Sequence, residues 1–484
     1  MPETFYNRYN ELRRLKEKYD SLKAGELCIL YGRRRIGKTE LVLKFLSSIP
    51  SKKVYLYVNK IAKKPLMDQF SIDIKNQVGD DLKISNWDSF FNYLIEESTK
   101  NKFILIIDEF QRLSEISLDF ITSLQNYWDR KLKNQKIMII LLGSSMGMTH
   151  DLVFSSKGPL YGRSTLKLLI KPFRYVDFRE MFSYLSTEEE RIKYFSVFGG
   201  TAHYLTLVKN LKKPLFDTIK DLVLIDGSPL SDEPITLLSS ELKSYTRHNS
   251  ILRSIADGKT ELPELAAPLE LKQNQITAYL DHLINRLNLV KKIEPIFGKK
   301  KKTRYELSDN FFKFWYHFIL TNKSTLELKN FDAIIKKIKD SFDQYVSYIV
   351  EEIIKELLML YNGREIDKFK INFEEIGAWW EGGEEIDVVA YSKRELLLGE
   401  VKWRSQPING LSILNELQQK QKKIEFNGRV KYVIFSKSGF TEDTRKELET
   451  QGVLCLDLTD LSRLFNDISK IEHTSQRTLE GFSS

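Results

Sequence analysis

Residues 27–39 restrict the fold of this chain more than any other segment. An apolar run at 27–31 ends at Gly32, the pattern Gly-x-x-x-x-Gly-Lys-Thr fills positions 32–39, and an apolar pattern with helical spacing starts at Leu41. A strand, a glycine-rich loop and a helix in this order predict a phosphate-binding loop, in which backbone N–H groups and the helix N-terminus face the phosphates. Lys38 can reach the β and γ phosphates, and the Thr39 hydroxyl can ligate Mg²⁺. We expect the whole loop to bind nucleotide: Gly32, Arg33, Arg34, Arg35, Ile36, Gly37, Lys38 and Thr39.

A second apolar strand ends in two acidic residues. Residues 103–107 read Phe-Ile-Leu-Ile-Ile and are followed by Asp108 and Glu109, about 70 residues after the loop. Asp108 is placed to hold Mg²⁺ and Glu109 to polarise the attacking water as a general base, although acidic residues can also merely end a buried strand. Further apolar runs at 54–58 and 137–142 alternate with helical stretches. This alternation predicts a mainly parallel sheet covered on both faces.

Two polar features follow the strand predicted at 137–142. Ser144 and Ser145 come directly after Gly143. Either hydroxyl could sense the γ-phosphate or the attacking water, and either could instead cap a helix. Arg163 lies in a loop with two glycines and is a candidate for stabilising phosphate charge, in its own subunit or in a neighbouring one. The commoner explanation of a single arginine is a surface position.

Composition limits the class of protein. With 484 residues, 42% of them hydrophobic and 29% charged, the chain is ordinary for a globular protein of two to four domains. Its longest apolar runs are too short to span a bilayer, no apolar signal segment opens it, and its two cysteines lie in strand-like runs. These features predict a cytoplasmic protein with buried thiols and without a disulfide framework or a zinc site. The net charge of +9 favours a polyanion partner only where the charge is clustered.

Residues 246–330 combine three helical patterns with a predicted hairpin, which is the element order of a winged helix. The third helix carries Lys-Gln-Asn-Gln at 272–275, at the end where a recognition helix meets bases. The hairpin tip at 298–304 contains five basic residues, which could straddle a phosphate backbone. We therefore expect this region to contact DNA; the alternative is a winged helix that packs on the chain's own nucleotide-binding core. The aromatic run at 311–318 has helical spacing and is expected to be a buried helix.

From residue 331 the predicted order is a helix, three strands, a helix, a strand, a helix and a strand. Glu400 and Lys402 are two apart on one strand and so share a face, and Asp387 lies at the start of the neighbouring strand. Two carboxylates can bind one or two Mg²⁺ ions, and a lysine beside them can orient water or stabilise a pentavalent phosphate. Polar residues inside an apolar strand are costly unless something satisfies them, as a metal would. The alternative is a surface ion pair between Glu400 and Lys402.

Several motifs in the first half of the chain together resemble the archaeal-type ATPase family, P-loop ATPases related to the AAA+ and STAND groups. They are Phe-x-x-Arg-x-x-Glu-Leu at 5–12, the loop at 32–39, Ile-Ile-Asp-Glu-Phe at 106–110, Gly-Ser-Ser-Met-Gly-Met at 143–148, Leu-Tyr-Gly-Arg-Ser-Thr at 160–165, Lys-Pro-Phe at 171–173 and Phe-Gly-Gly-Thr-Ala-His-Tyr-Leu at 198–205. The resemblance implies that the nucleotide is ATP. The sequence departs from the family at 199–202, where Gly-Gly-Thr-Ala stands in place of Gly-Gly-x-Pro. How this segment meets the nucleotide is therefore open.

The strand pair with Asp387 and Glu400 resembles the PD-(D/E)XK nuclease fold, in the version fused to archaeal-type ATPases. This resemblance implies that Asp387 and Glu400 are metal ligands and that Lys402 is the catalytic lysine. In that fold a glutamate on the first helix often completes the site; Glu351 matches best, and Glu352 is the alternative. Many such folds persist as binding modules without cleavage.

These observations predict an α/β chain with four parts. They are a P-loop NTPase core with a parallel sheet at 1–175, a helical lid or connector at 176–245, a winged-helix domain at 246–330 and a restriction-endonuclease-like α/β domain at 331–484. We expect an enzyme that hydrolyses ATP with Mg²⁺ and couples hydrolysis to binding and metal-dependent cleavage of DNA. We expect no membrane partner, and the sequence is compatible with a homo-oligomer. Two alternatives are a STAND-like regulatory switch whose C-terminal domain cleaves nothing, and an ATP-driven DNA remodeller that assembles as a ring.

Overall fold

A computed structural model describes residues 5–297 and 302–480, with side chains up to residue 471. The chain divides into two compact units. The first consists of Met1–Pro172, Thr201–His203 and Asp281–Asn288, and the second of Phe173–Gly200, Tyr204–Leu280 and Leu289–Ser484. No helix among the described residues is long and apolar enough to cross a membrane.

The first unit contains a five-stranded parallel sheet in the order β2-β3-β4-β1-β5. Every residue of β3 and β4 is buried, because helices cover both faces of the sheet. The four predicted strands and the parallel sheet are confirmed, and β5 is a further edge strand. The strands are β1 (Glu26–Tyr31), β2 (Lys52–Tyr57), β3 (Phe103–Asp108), β4 (Ile137–Gly143) and β5 (Leu166–Leu169).

Two apolar cores lie on the two faces of this sheet. One contains buried side chains of α3, α4 and α6, and the other contains those of α1 and α2. Because all the strands are parallel, the segments that follow β1, β3 and β4 emerge at the same edge. The helices of this unit are α1 (Tyr9–Asp20), α2 (Lys38–Ser47), α3 (Lys63–Val78), α4 (Trp87–Lys100), α5 (Leu113–Ile116), α6 (Leu118–Arg130) and α7 (Met146–Thr149).

The second unit is mainly helical up to residue 360. Three helices, α13 to α15, are followed by an antiparallel hairpin of β6 (Val290–Ile293) and β7 (Arg304–Leu307), in the predicted order. The aromatic run at 311–318 is buried as expected, apart from Lys313 and His317. Helices α10 and α15 run across the division of the chain. The helices are α8 (Tyr175–Met181), α9 (Glu188–Phe198), α10 (Ala202–Leu211), α11 (Leu215–Ile219), α12 (Glu233–Glu241), α13 (Thr246–Ala256), α14 (Leu262–Ala266), α15 (Gln273–Asp281), α16 (Asn310–Phe314), α17 (Lys323–Glu327), α18 (Phe331–Leu360), α19 (Gly410–Gln421), α20 (Glu442–Thr450) and α21 (Leu458–Glu480).

A mixed five-stranded sheet forms the C-terminal part of the second unit. Its order is β10-β11-β12-β13-β14; the first three strands are antiparallel, and β12, β13 and β14 are parallel. The elements predicted from residue 331 are present in their predicted order, and the structure adds the short strands β8 and β9 after α18 and the helix α21 after β14. Helices α19 and α20 pack on one face of this sheet. The strands are β8 (Glu365–Ile366) and β9 (Phe369–Lys370), which form a separate hairpin, β10 (Glu375–Glu381), β11 (Glu384–Tyr391), β12 (Glu395–Lys402), β13 (Arg429–Ser436) and β14 (Val453–Leu456).

A half-buried glutamate of α18, Glu356, caps another helix of the second unit. The two Glu356 carboxylate oxygens accept hydrogen bonds from the backbone N–H groups of Tyr175 (3.0 Å) and Val176 (2.9 Å), which begin α8. Burial raises the pKa of Glu356 to about 7, despite these two hydrogen bonds. A raised folded-state pKa gives stability that is present below the unfolded-state value of 4.5 and is lost as the pH rises through 7.

We therefore expect Glu356→Gln to flatten the pH dependence of stability. Between pH 5 and pH 8 the free energy of unfolding of the wild type should fall by up to about 3 kcal/mol more than that of the variant, at about 1.4 kcal/mol per pKa unit. Urea unfolding at both pH values measures the difference. Glu416→Gln, at an exposed position of α19, is the control and should behave as the wild type does. Equal pH dependence in wild type and Glu356→Gln would contradict the assignment.

Candidate functional site

The loop between β1 and α2 has the backbone of a phosphate-binding loop. Gly37 directly precedes α2 with φ of +93°, a left-handed conformation that favours glycine. At Gly32 a β-carbon would approach the carbonyl oxygen of Ile170 to 2.5 Å, so that no side chain fits there. Lys38 is buried and donates to the carbonyl oxygens of Gly32 (2.8 Å) and Arg33 (2.9 Å). Its ammonium group is thus held over the loop, where phosphates would bind.

The other loop residues have different surroundings. The side chain of Ile36 is part of the apolar core that contains α1 and α2, so it anchors the loop. Arg33 is buried, Arg34 is exposed, and Arg35 is half-buried. Nη2 of Arg8, in the opening motif, donates to the carbonyl oxygens of Ile36 (3.4 Å) and Lys171 (2.6 Å). The start of the chain is therefore tied to the loop.

The Gly-Gly-Thr-Ala segment also reaches the loop. Residues 201–203 belong to the first unit, and the backbone N–H of His203 donates to the carbonyl oxygen of Arg35 (3.2 Å). The Ala202 side chain lies 3.5 Å from the position that a β-carbon on Gly37 would take. The segment thus contacts the loop without the proline that is usual at position 202.

Asp108 and Thr39 meet at the carboxyl edge of the sheet. The Thr39 hydroxyl donates to Oδ2 of Asp108 at 3.0 Å, and Oδ1 of Asp108 accepts the backbone N–H of Glu109 at 2.8 Å. The Tyr55 hydroxyl, on β2, also donates to Oδ2. Burial and this hydrogen bond raise the pKa of Tyr55. Tyr55 was not predicted as a site residue.

The oxygens of Thr39 and Asp108 fit a Mg²⁺ ion that takes its remaining ligands from phosphate and water. Mg²⁺ prefers oxygen ligands and in nucleotide sites commonly uses one or two side chains. In the part of the chain that the structure describes, no group of three or more His, Cys, Asp or Glu side chains could hold a metal ion. A pair of protein oxygens beside a phosphate loop is the arrangement that such an ion requires.

Glu109 is held by three polar neighbours. Its Oε2 accepts hydrogen bonds from the Ser144 hydroxyl (2.6 Å) and from Nε2 of Gln111 (2.6 Å), and Nε of Arg112 lies 3.7 Å away. The backbone of Glu109 is left-handed, with φ of +57°. Of the two candidate serines, Ser144 is brought to Glu109. Ser145 precedes α7 without a capping hydrogen bond from its side chain.

The structure does not bring Arg163 to the phosphate loop. Its guanidinium group binds Asp129 (2.7 Å) and the carbonyl oxygens of Pro159 and Tyr161. Thr165, two residues later, donates its backbone N–H to Leu27 at the start of β1, so this loop lies at the amino edge of the sheet. The phosphate loop lies at the carboxyl edge, about 20 Å away along a six-residue strand. The prediction that Arg163 stabilises charge within its own subunit is therefore corrected: its contacts are those of a surface arginine.

In the second unit, Asp387, Glu400 and Lys402 lie together on β11 and β12. Val388 pairs with Gly399, which brings Asp387 level with Glu400. Oδ2 of Asp387 accepts the backbone N–H of Val401 at 2.8 Å, and Nζ of Lys402 donates to Oε1 of Glu400 at 2.5 Å. Oε2 of Glu400 is buried and has no hydrogen-bond partner among the described residues, although Nζ of Lys420 lies 3.6 Å away.

An irregularity in the strand pairing occurs at Asp387. The β10–β11 ladder pairs Gly377 with Val389 and Trp379 with Ile386, so two residues of β11 oppose Ala378 alone. This is the count of a β-bulge, a feature that redirects side chains and is common beside active sites. It affects the segment that carries Asp387.

The two alternatives on α18 have different electrostatic surroundings. Burial and the nearby Asp387 raise the pKa of Glu351. Glu352 binds Lys291 (2.7 Å) and Lys355 (3.1 Å), which lower its pKa although burial opposes them. Burial and Glu400 raise the pKa of Asp387 to about 6. Glu351, rather than Glu352, therefore lies in the same acidic surroundings as Asp387.

The parallel sheet, the phosphate loop after β1 and the Asp-Glu pair after β3 define a P-loop ATPase. A family model described as an ATPase domain predominantly from Archaea matches residues 5–208, and a model of archaeal and bacterial proteins of unknown function matches residues 315–423. The chain is 33% identical to the uncharacterized protein MJECL04 of Methanocaldococcus jannaschii over 434 residues, which cover 88% of this chain and 94% of that protein. The chain belongs to this family of archaeal ATPases.

A solved structure agrees with this assignment at the level of the fold. The Walker-type ATPase PABY2304 of Pyrococcus abyssi superimposes with a TM-score of 0.50 and 22% identity. The match covers 64% of this chain and 96% of that one. The uncharacterized ATP-binding protein MJ0423 of Methanocaldococcus jannaschii is 47% identical over 53 residues, 11% of this chain and 88% of that protein.

Proposed function

We propose that this ATPase couples ATP hydrolysis to metal-dependent cleavage of DNA by its C-terminal sheet domain. The proposal of DNA cleavage rests on the grouping of Asp387, Glu400 and Lys402 on paired strands. One buried oxygen of Glu400 lacks a hydrogen bond from any described residue. A buried carboxylate oxygen without a hydrogen bond is costly. Nζ of Lys420, 3.6 Å away, supplies charge but no hydrogen bond, so a metal ion or a donor would satisfy this oxygen better.

At the ATPase site, each residue has a distinct role in the proposal. Lys38 would exchange the loop carbonyl oxygens for the β and γ phosphates, and Thr39 with Asp108 would hold Mg²⁺. The ion supplies charge neutralisation when it is bound. Glu109 accepts the proton of the attacking water, while Ser144 and Gln111 orient its carboxylate.

At the C-terminal site, Asp387 and Glu400 would hold a divalent cation, with water and phosphate oxygens as further ligands. The ion supplies Lewis acidity toward the scissile phosphate when it is bound. Lys402 then orients water or stabilises charge on that phosphate. Glu351 is the further ligand that the resemblance implies, but among the described residues it does not form a group of three metal-binding side chains with Asp387 and Glu400, so the proposal rests on these two carboxylates.

The DNA-contacting part of the proposal rests on α13 to α15 and the β6–β7 hairpin as a winged helix. Residues 272–275, at the start of α15, are all exposed, as a recognition helix requires. Of the basic hairpin tip, residues 298–301 lie outside the described residues. Arg304, its last basic residue, is described and begins β7.

Cleavage assays with defined variants test the proposal. Purified protein is incubated with supercoiled, linear and single-stranded DNA in Mg²⁺ or Mn²⁺, with ATP, a non-hydrolysable analogue or no nucleotide. We expect the wild type to cleave DNA and Asp387→Ala to abolish cleavage. If nucleotide drives cleavage, Lys38→Ala should abolish it as well. Equal rates under all three nucleotide conditions would remove the coupling. No cleavage under any condition, with ATP hydrolysis intact, would favour the regulatory switch.

A further inference from the structure

The β6–β7 hairpin is attached to the C-terminal sheet beside the bulge that carries Asp387. The backbone N–H of Ile296 donates to the carbonyl oxygen of Ala378 (2.9 Å), the residue opposite the bulge. Nε1 of Trp380, on the same strand, donates to the carbonyl oxygen of Lys302 (2.9 Å). The hairpin residues on both sides of the tip are thus fixed to β10.

Two basic side chains of the hairpin reach acidic residues next to the candidate metal ligands. Lys291 of β6 binds Glu352, the neighbour of Glu351 on α18. Nη1 of Arg304, on β7, lies 3.1 Å from both carboxylate oxygens of Glu385, two residues before Asp387 on β11. Two residues of a strand span about 7 Å, so one phosphodiester strand can reach both Arg304 and Asp387.

The Arg304 guanidinium group is presented in a fixed orientation. It lies over the Trp380 ring, with its central carbon 4.4 Å from the ring centroid. Its side chain is 28% exposed, and only Nη1 binds Glu385. Among the described residues, Glu385 is the acceptor of this side chain's hydrogen bonds, and a planar guanidinium stacked on an aromatic ring suits a phosphate better than a lysine does.

We propose that Arg304 is a substrate-phosphate contact of the C-terminal site, supplied by the hairpin, and that Glu385 occupies it until DNA displaces the carboxylate. The inference rests on the proposed function, because its ligand is DNA. Glu385 is 45% exposed, and an ion pair this exposed contributes little in water, so a phosphate oxygen can replace it. The Glu385 charge also repels an approaching phosphate, so this carboxylate opposes DNA binding while Arg304 favours it.

The opposite signs give a test that a purely structural ion pair would fail. Arg304→Gln and Glu385→Gln both break the pair. If the pair only fixed the hairpin to the sheet, both variants would change DNA binding in the same direction. If Arg304 contacts phosphate, Arg304→Gln weakens binding and Glu385→Gln strengthens it.

Binding is measured by fluorescence anisotropy of labelled single-stranded and duplex oligonucleotides in EDTA, over a series of KCl concentrations. For Arg304→Gln we expect about tenfold weaker binding and a slope of log K against log salt that is smaller by about 1. For Glu385→Gln we expect about threefold tighter binding. Arg304→Lys keeps the charge and should keep most of the slope. Urea unfolding of each variant confirms that it is folded.

The ion pair between Lys423 and Glu384 supplies the matched control. It joins α19's C-terminal flank to β11 at 2.8 Å, one residue from Glu385. Lys423→Gln, with the same change of charge, should leave the salt slope as in the wild type. An unchanged slope in Arg304→Gln, or the same direction of change in both test variants, would overturn the inference while leaving cleavage and its dependence on Asp387 intact. Absence of DNA binding by the wild type would overturn both.

Discussion

Replacement of Glu109 by glutamine is expected to lower kcat for ATP hydrolysis by about 10²- to 10³-fold while leaving ATP binding intact. A positioned general base contributes about 10²- to 10⁴-fold, and the amide cannot accept the proton of the attacking water. The glutamine oxygen can still accept the hydrogen bonds from Ser144 and Gln111, so the local structure should persist. Phosphate release measures kcat, and a fluorescent ATP analogue measures binding.

The control for Glu109 lies six residues further along the chain. Glu115, in the short helix α5, is exposed, and Glu115→Gln removes the same charge from the same segment. It should hydrolyse ATP at the wild-type rate. Glu109→Gln with a kcat within threefold of the wild type would exclude Glu109 as the base. Loss of nucleotide binding in that variant would instead indicate a structural role.

The architecture was predictable because its main signals are local. Strands β1, β3 and β4 are apolar runs bounded by polar residues. Strands of a parallel sheet with both faces covered are apolar along their whole length, so such runs indicate its central strands. Strand β5 was missed because it has four residues and Lys167 interrupts its apolar pattern. In the C-terminal domain the alternation of apolar residues and the intervening helical patterns predicted the elements from β10 to β14 in their order along the chain.

The parts of the ATPase site that depend on spacing were also predictable. Lys38 and Thr39 follow from the glycine pattern, and Asp108 from the end of an apolar run. Tyr55 was not predictable, because its contact with Asp108 depends on β2 being the neighbour of β3. Sequence spacing alone does not give the order of strands in a sheet.

The position of Arg163 could not be predicted for a related reason. Arg163 follows β4 in the sequence, but the sequence does not show at which edge of the sheet position 163 lies. The structure shows that the chain has already returned to the start of β1, where Thr165 contacts Leu27. The choice between Glu351 and Glu352 likewise depended on the rotation of α18, which the contact of Glu352 with Lys291 identifies.

Conversion of Lys402 to glutamine is the sharpest test of the C-terminal site, and we expect it to lower the rate of DNA cleavage by about 10²- to 10³-fold. That is the usual loss on removal of one group that stabilises charge in a transition state. Glutamine can still donate a hydrogen bond to Oε1 of Glu400, so the buried carboxylate keeps a donor and the fold should persist. Plasmid nicking in Mg²⁺ measures the rate, and urea unfolding measures stability.

The surface-pair alternative makes a different prediction for the same variant. If Lys402 only balanced the charge of Glu400, Lys402→Gln would change stability and leave cleavage nearly intact. Lys431→Gln offers a comparison on β13, since Lys431 binds Glu395 at 3.0 Å at the opposite end of β12. It should cleave DNA as the wild type does. A loss of cleavage confined to Lys402→Gln, at unchanged stability, would establish the lysine as part of the reaction, whereas equal activity of the two variants would exclude it.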